Sequence, residues 1–476
     1  MPSDLPAAAG RPVSDPRDLD AFRRHGHELV DWIADYLSSL ETRPVIEPVT
    51  PGQIRAALPD APPTEPEPFA DLIADLDQIV VPGLTHWQHP HWFAFFPAMA
   101  SPASILAEFV SAGLGVQGMM WSTAPAATEI ETHVLDWMAD LLGVPPAWKS
   151  DGSGGGVLQG SASDSAHLAL VLARERCRER TGAVAETMVA YTSDQAHSSL
   201  AKGARIAGIG HVRQLPVNEV FAVEPETLSA AVAADRAAGL NPVFVCASVG
   251  TTGTTAVDPV RRFGEICRSE GLWLHVDAAY AGSAMICEEF RHHQDGLELV
   301  DSYSFNPHKW LATNFDCSVF WVAERAELID TLSVLPPYLR NDATDSGQVI
   351  DYRDWHVPLG RRFRALKLWW VLRSFGVSGL REMIRSHVAW AEELTTWVAD
   401  HPRLELFAPT TFALVSFAHV DGDVATEELA DALGRAGFAV TLSTAAERRF
   451  LRVSIGSTWT EHRHVLALRA AIDAAA

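Results

Sequence analysis

The middle of the chain alternates short apolar runs with helical patterns, and this alternation constrains the fold more than any other feature. The apolar runs cover residues 242–249, 272–276 and 319–322, and helical patterns such as 166–180 and 260–270 flank them. Strands that are buried on both faces read as nearly continuous apolar runs. The order therefore predicts an α/β fold with a mostly parallel central sheet and helices on both of its faces.

The two ends of the chain depart from this central pattern. An amphipathic helix is predicted over residues 19–40, and a stretch rich in proline follows at 59–68. Both features favour an N-terminal helical arm, residues 1–98, that meets another domain or subunit, although a helix packed on its own domain would also explain them. Residues 366–476 alternate long helical patterns with strand-like runs, which predicts a smaller C-terminal α+β domain. The large α/β domain then covers residues 99–365.

Composition excludes several classes of function. The 476 residues have a formal net charge of −23, so binding of nucleic acid through a basic face is not expected. The five cysteines form no Cys-x-x-Cys pair, so we expect no metal site and favour a reducing, cytoplasmic setting. No run of about 18 apolar residues occurs, so no membrane span is predicted.

An aspartate follows the apolar run at 272–276. Asp277 stands in the segment His-Val-Asp-Ala-Ala-Tyr (275–280), at the carboxyl end of a predicted strand. Ligands of open α/β sheets bind outside these strand ends. A carboxylate there is costly to desolvate without a cationic partner, and the protonated pyridine nitrogen of pyridoxal 5′-phosphate (PLP) is one such partner. Taken alone, Asp277 would be explained equally well as a helix cap or a metal ligand.

A lysine with unusual neighbours follows further along the chain. Lys309 lies in the segment Ser-Phe-Asn-Pro-His-Lys-Trp (304–310), whose histidine, proline and tryptophan are atypical of a solvated surface. Burial lowers the pKa of a lysine and frees its amine to form an imine. A surface lysine in a loop is the usual alternative, and the pairing with Asp277 is what favours a PLP site.

Three further features fit a phosphorylated, flat cofactor. The segment Gly-Ser-Ala-Ser-Asp (160–164) precedes a helical pattern, so its N–H groups and hydroxyls can surround a phosphate. Serine and aspartate are also common helix caps, and the glycines at 154–156 suggest only a flexible turn. His197 offers a ring that can stack on the cofactor, although a lone histidine is more often structural. Thr252 follows the run at 242–249, at another carboxyl strand end.

Together these segments resemble the aromatic-L-amino-acid decarboxylase family, the group II pyridoxal-dependent decarboxylases. The resemblance runs from about residue 19 to at least residue 388, and more loosely to the end. It is most specific at 275–283, 305–310 and 358–367, the last being Pro-Leu-Gly-Arg-Arg-Phe-Arg-Ala-Leu-Lys. It implies a PLP-dependent enzyme of fold type I that forms a homodimer, with the N-terminal arm wrapped around the partner.

The resemblance also implies roles for matching residues. Lys309 would hold PLP as a Schiff base, Asp277 would bind its ring nitrogen, and His197 would stack on its ring. The remaining cofactor contacts would come from Ala162, Ser163, Thr252, Ala279, Asn306 and His308. Tyr338, in Pro-Pro-Tyr-Leu, matches the family's mobile-loop tyrosine and would deliver a proton to Cα after CO2 has left.

The substrate pocket of the family maps to Trp87, Phe95, Phe96, Ala98, Met119 and Gly360. Animal dopa decarboxylases have tyrosine and threonine where Phe95 and Ala98 stand, so this pocket lacks two hydroxyls that could recognise a catechol. An apolar pocket rejects an added hydroxyl by only about 10²-fold or less. We therefore predict decarboxylation of aromatic L-amino acids (tryptophan, phenylalanine, tyrosine and dopa) to arylalkylamines and CO2.

Three other functions would also fit much of this sequence. Aromatic aldehyde synthases of the same family differ at the loop tyrosine or at the stacking histidine, so Tyr338 and His197 favour simple decarboxylation. Animal histidine decarboxylases usually have serine at the position of Gly360, where glycine leaves room for a larger ring. A non-catalytic scaffold protein is disfavoured by the intact Lys309 and Asp277.

Overall fold

The computed structural model describes residues 18–334 and 349–476. The chain separates into two compact units, which divide between Trp92 and Phe93. The finer division into domains 1–98, 99–365 and 366–476 remains a proposal. Within the described residues, no helix combines the length and the apolar character that a bilayer crossing requires.

The first unit is mostly helical, with α-helices at Leu19–Ser39, Gln53–Ala57 and Phe69–Asp75. Asp18 caps the first helix by accepting the backbone N–H groups of Asp20 and Ala21 at 3.1 and 2.9 Å. This helix contains no buried residue, and Leu19 and Phe22 are 68% and 60% exposed. The predicted amphipathic helix is therefore confirmed, and its apolar stripe lies at the surface of the single chain.

The second unit is built around a seven-stranded sheet. Its strands are β1 (Gly155–Gln159), β2 (Met188–Ser193), β3 (His211–Leu215), β4 (Asn241–Ser248), β5 (Trp273–Asp277), β6 (Ser302–Phe305) and β7 (Ser318–Val322), in the order β1-β7-β6-β5-β4-β2-β3. Strand β7 is antiparallel to both of its neighbours, and the others run in one direction. The predicted mostly parallel sheet is confirmed, and the reversed β7 is an addition to it. The carboxyl ends of β1 and β4–β6 consequently meet at one edge.

Two hydrophobic cores, one on each face, explain why the strands read as apolar runs. Along β7, Val319 and Trp321 belong to one core, whereas Phe320 and Val322 belong to the other. The described α-helices of this unit before residue 335 are Pro102–Leu114, Pro125–Leu142, Ala162–Thr181, Ser199–Ile206, Pro225–Ala237, Val260–Glu270, Pro307–Trp310 and Arg325–Leu332. The predicted helices are therefore confirmed: the one at 166–180 is slightly longer in the structure, and the one at 260–270 has the predicted bounds.

Strand β1 corrects the interpretation of the glycines at 154–156 as a flexible turn. A Cβ atom on Gly155 would lie 2.4 Å from the ring of Trp355, and one on Gly156 would lie 2.5 Å from Trp321 Nε1. These two glycines are strand residues over which tryptophan rings pack closely. The reason is tertiary packing, which a local sequence pattern does not reveal.

The C-terminal layer is a four-stranded antiparallel sheet in the order β10-β11-β9-β8. Its strands are β8 (Leu404–Leu406), β9 (Leu414–His419), β10 (Thr441–Ala445) and β11 (Arg448–Ser454), and its helices are Asp423–Arg435 and His462–Ala475. The helix Ala365–Asp400 precedes them and is interrupted at Gly376, where φ is 64° and ψ is 164°. The predicted C-terminal α+β arrangement is present.

Candidate active site

Side chains from the carboxyl ends of neighbouring strands surround one cavity in the second unit. Asp277 ends β5 and pairs in register with Ser248, which ends β4, and with Ser304 of β6. Lys309 follows β6 in the short helix Pro307–Trp310. The cavity is lined by Phe96, Ser161, Ala162, Ser163, His197, Ser199, Ser248, Gly250, Thr251, Thr252, Asp277, Ala279, Tyr280, Asn306, His308 and Lys309. The site thus occupies the position where open α/β sheets bind their ligands.

Lys309 is half-buried in the wall of this cavity. Its amine lies 5.1 Å from the centroid of the Phe96 ring. Burial lowers the pKa of Lys309, the charge of Asp277 opposes this shift, and the charge of Arg452 adds to it. A lowered pKa increases the fraction of neutral amine, which is the form that attacks a carbonyl carbon.

Asp277 supplies the negative charge of the cavity. One of its carboxylate oxygens accepts the backbone N–H of Ala279 at 3.0 Å, which fixes the side chain at the strand end. Its charge raises the pKa of both Lys309 and His197 and so partly offsets their burial. A cationic ring nitrogen placed at this carboxylate would be stabilised in the same way.

His197 lines the cavity with a defined tautomer. Its Nδ1 accepts the backbone N–H of Ser199 at 3.2 Å and lies 2.9 Å from the Ser199 hydroxyl. Burial lowers the pKa of His197, and Asp277 offsets only part of that effect. The ring is therefore neutral at physiological pH, with its proton on Nε2 and available for donation.

The part of the cavity lined by Ser161, Ala162, Ser163 and His308 is suited to an anion. Ser161 caps the helix Ala162–Thr181: its hydroxyl accepts the Asp164 N–H at 3.3 Å, and Asp164 accepts the Ser161 N–H at 3.0 Å. This helix presents its N-terminus to the cavity, and such N-termini bind phosphate. Burial lowers the pKa of His308 to about 4, and its Nδ1 accepts the N–H of Cys317 at 3.0 Å. His308 is therefore neutral, and its Nε2–H can donate.

These residues fit PLP. The side-chain oxygen of Asn306 is buried and has no hydrogen-bond partner in residues 18–334 or 349–476. Within the same residues Lys309 forms no ion pair, although its amine faces the cavity. Ala279 contributes only a methyl group to the lining, so space for a planar ring remains. One cavity is thus surrounded by an amine that can react with the aldehyde of PLP, a carboxylate that can bind its pyridine nitrogen, and a helix N-terminus that can bind its phosphate.

The structure brings all the predicted cofactor residues together. The cavity lining includes Ala162, Ser163, His197, Thr252, Asp277, Ala279, Asn306, His308 and Lys309. Sequence reasoning missed six further residues of the lining: Ser161, Ser199, Ser248, Gly250, Thr251 and Tyr280. All six lie next to predicted segments or within them, so extending each segment by a few residues would have found them.

The predicted substrate residues are divided. Phe96 lines the cavity beside Lys309. Ala98, Met119, Gly360 and Phe95, which is 55% exposed, do not belong to its described lining. Met119 and Gly360 lie near each other at a different place, because the neighbouring Gly118 N–H donates to the Arg361 carbonyl at 3.0 Å. Trp87 belongs to the first unit. Tyr338 lies outside the described residues.

The chain is similar to known proteins over most of its length. The family model "Pyridoxal-dependent decarboxylase conserved domain" matches residues 51–420. Tryptophan decarboxylase 2 of Oryza sativa subsp. japonica is 44% identical over 463 residues, which cover 94% of this chain and 93% of that protein. Phenylacetaldehyde synthase of Arabidopsis thaliana is 45% identical over 466 residues, covering 95% of each. The crystal structure of Oryza sativa TDC with PLP and tryptamine matches with a TM-score of 0.95 and 40% identity, over 97% of this chain and 98% of that one.

The fold and the cavity define a PLP-binding α/β enzyme. The match over most of the chain is more specific: the chain belongs to the pyridoxal-dependent decarboxylase family. It is accordingly a PLP-dependent carboxy-lyase, and the prediction of PLP as its cofactor is confirmed.

Proposed function

We propose that the protein decarboxylates aromatic L-amino acids, with tryptophan, phenylalanine, tyrosine and dopa as substrates, and releases arylalkylamines and CO2. The observation that supports this most directly is the cavity wall at Lys309. Phe96 is buried there and stacks on Tyr280 with ring centroids 4.0 Å apart. An aromatic wall beside the reacting amine favours a flat, apolar substrate side chain. The names of the relatives, tryptophan decarboxylase and phenylacetaldehyde synthase, point to the same substrate class.

Each polar residue of the cavity would have its own role in the reaction. Bound PLP supplies an electron sink for the pair of electrons that the departing CO2 leaves behind. Asp277 would keep the ring nitrogen protonated, and Lys309 would receive the cofactor as a neutral amine. His197 would stack on the ring, and its Nε2–H could donate to the substrate carboxylate. Tyr338 would return a proton to Cα, a step typically worth about 10²–10⁴-fold in rate.

We further propose that the enzyme is a homodimer. The apolar stripe of helix Leu19–Ser39 lies at the surface of the single chain, as does Phe109 of helix Pro102–Leu114. Met119 and Gly360 lie outside the cavity of their own chain, so a second copy is the simplest way to bring them to a substrate. All five cysteines are free thiols, which fits the proposed cytoplasmic setting.

A second outcome is favoured by one observation. The phenylacetaldehyde synthase of Arabidopsis thaliana is as similar to this chain as the rice decarboxylase is. Formation of an aldehyde would consume O2 and water and would release CO2, ammonia and hydrogen peroxide instead of CO2 and an amine. His197 and Tyr338 are both present in this chain, and for this reason we place decarboxylation first.

One experiment tests the substrate and the outcome together. PLP-saturated protein is incubated separately with tryptophan, phenylalanine, tyrosine, dopa, histidine and glutamate, and amine, CO2, aldehyde and ammonia are quantified. We expect equal amounts of amine and CO2 from the four aromatic substrates alone. The Lys309→Ala variant serves as the blank, since it retains the cavity but lacks the amine.

Other results would replace the proposal in defined ways. Aldehyde with ammonia would assign the synthase outcome. Activity on histidine or glutamate alone would overturn the aromatic assignment while leaving the PLP site intact. A rate on dopa at least a hundredfold above that on phenylalanine would show that the pocket recognises the catechol hydroxyls and is not broadly apolar.

A further inference from the structure

Arg452 is a buried cation that has no acidic partner in the part of the chain that the structure describes. It lies on β11, is 3% exposed, and forms no ion pair with any described residue. Its guanidinium instead donates to two backbone carbonyls, from Nε to Gly253 at 3.1 Å and from Nη2 to Phe95 at 3.3 Å. Buried charges are normally paired, because removal from water is costly. An unpaired one therefore calls for an explanation in terms of function.

The position of Arg452 supplies that explanation. Its guanidinium carbon lies 5.3 Å from the centroid of the Phe96 ring, and the amine of Lys309 lies 5.1 Å from the same centroid. Phe96 therefore lies beside both cations, and its ring stacks on that of Tyr280. Arg452 does not line the cavity itself, so any effect on the reaction would pass through the wall.

We propose that Arg452 is a positioning residue, which braces the wall at Phe96 and the loop at Gly253 and whose uncompensated charge acts on the amine of Lys309. The two carbonyls that it binds belong to segments adjoining the cavity, next to Phe96 and to Thr252. Loss of the brace would loosen both segments. Loss of the charge would favour the protonated form of the Lys309 nitrogen.

The other charged and titratable groups around Lys309 do not duplicate this role. Asp277 of β5 acts in the opposite direction. His197 and His308 both have lowered pKa values because of burial, so both are neutral. Burial also raises the pKa of Tyr280 far above the neutral range. Burial lowers the pKa of Arg452 itself only to about 10, so it remains a cation at neutral pH.

The size of the effect follows from the distance. Both charged groups lie within 5.3 Å of one ring centroid, so they are at most about 10 Å apart, where a unit charge shifts a pKa by about one unit at an effective dielectric constant of about 20. Removing the positive charge would therefore raise the pKa of the Lys309 nitrogen by about one unit or more.

The test is a pH titration of the visible absorption of the bound cofactor, in the holoenzyme without substrate. The variants are Arg452→Met, which removes the charge, and Arg452→Lys, which keeps it but cannot bind both carbonyls in the same geometry. We expect the midpoint to rise by about one unit in Arg452→Met and to stay close to the wild type in Arg452→Lys. Both variants should bind PLP more weakly.

The matched control is Arg448→Met on the same strand, since Arg448 is 51% exposed and paired with Glu405. It should leave the titration unchanged. An unchanged midpoint in a folded Arg452→Met, or an equal shift in Arg452→Lys, would overturn the assigned action of the charge. The role of Arg452 rests on PLP bound at Lys309, and its test uses no substrate. It can therefore fail while the proposed substrate class stands, and the substrate class can fail while the role of Arg452 stands.

Discussion

The cofactor end and the substrate end of the candidate site are held by the fold in different ways. The cofactor end (Lys309, Asp277, His197 and the helix start at Ser161) is drawn from strand ends of one sheet. Hydrogen bonds to nearby backbone N–H groups fix the side chains of Asp277, His197 and Ser161. The substrate end (Phe95, Ala98, Met119 and Gly360) lies outside the cavity of the same chain. The residues proposed for the chemistry thus lie together in one chain, whereas most of the residues proposed to select the substrate are placed elsewhere.

This difference teaches that the two ends should respond separately to substitution. Changes at the cofactor end should affect all substrates alike, because they alter a step that every substrate shares. Changes at the substrate end should alter the ratio between substrates and leave cofactor binding intact. A residue that affected both would mark a physical connection between the two ends.

The largest effect is expected for Lys309→Ala. Without the amine, kcat/KM should fall by about 10⁴-fold or more on every aromatic amino acid, since covalent attachment of the cofactor is lost. The measurement is amine release from each substrate in turn. Lys202→Ala, at an exposed lysine of helix Ser199–Ile206, is the control and should have no effect. A loss confined to one substrate would break the division between the two ends.

Asp277→Asn should produce the next largest effect. Breaking a buried charge pair typically costs about 3–5 kcal/mol, so we expect the Kd for PLP to rise by about 10²–10³-fold. The pKa of Lys309 should fall further, because the charge that raises it is removed. Equilibrium titration of the apoprotein with PLP measures the affinity. A Kd within threefold of the wild type would show that Asp277 does not pair with the ring nitrogen.

Glu131→Ala tests a connection between the two ends. Glu131 and Arg361 form a buried ion pair at 2.6 Å. Glu131 also accepts the N–H of Leu158 in β1 at 2.8 Å, and Arg361 donates to the Leu158 carbonyl at 2.9 Å. Arg361 also donates to the Gly118 carbonyl at 3.3 Å, next to Met119. We expect the free energy of unfolding to fall by about 3–5 kcal/mol, as measured by urea denaturation of the PLP-free protein.

The same variant should weaken PLP binding and also change the substrate ratio, since the pair holds β1 and the segment next to Met119. A change in PLP affinity alone, or in the substrate ratio alone, would show that this ion pair does not connect the two ends. The control is Arg261→Ala, which removes exposed ion pairs to Asp295 and Glu298. It should cost at most about 1 kcal/mol.

The smallest effect is expected for the double substitution of Phe95→Tyr with Ala98→Thr. Two added hydroxyls should raise kcat/KM for dopa relative to phenylalanine by about tenfold, within the modest range that side-chain changes in an apolar pocket allow. The Kd for PLP should stay the same. Competition between the two substrates in one reaction gives the ratio directly. A changed PLP affinity with an unchanged ratio would reverse the assignment of these residues to the substrate end.

The sequence predicted the parts of the site that have a local signal. Asp277 follows an apolar run, and Lys309 stands in an unusual segment, so both could be assigned without a structure. Strand β1 could not, because Gly155 and Gly156 are strand residues only by virtue of the tryptophans packed over them. Tertiary packing of this kind leaves no periodic pattern in the chain.

Arg452 was missed for a related reason. An arginine on a strand of a small antiparallel sheet suggests a solvated face, and nothing nearby in sequence shows that its neighbours are Gly253 and Phe95. The same applies to the division of the substrate residues. Phe95 and Phe96 are adjacent in sequence, yet one is exposed and the other lines the cavity.

The contact between Arg452 and Phe95 also sets the order in which the molecule can be assembled. The two residues are 357 positions apart, and the Phe93 carbonyl likewise accepts the N–H of Ser454 at 2.9 Å. A ribosome adds about 5–20 residues per second, so Phe95 must wait roughly 20–70 s for this partner to be made. Contacts between such distant residues close late in folding. The wall at Phe96 is therefore completed late in folding, and capture of PLP would report a late step of folding.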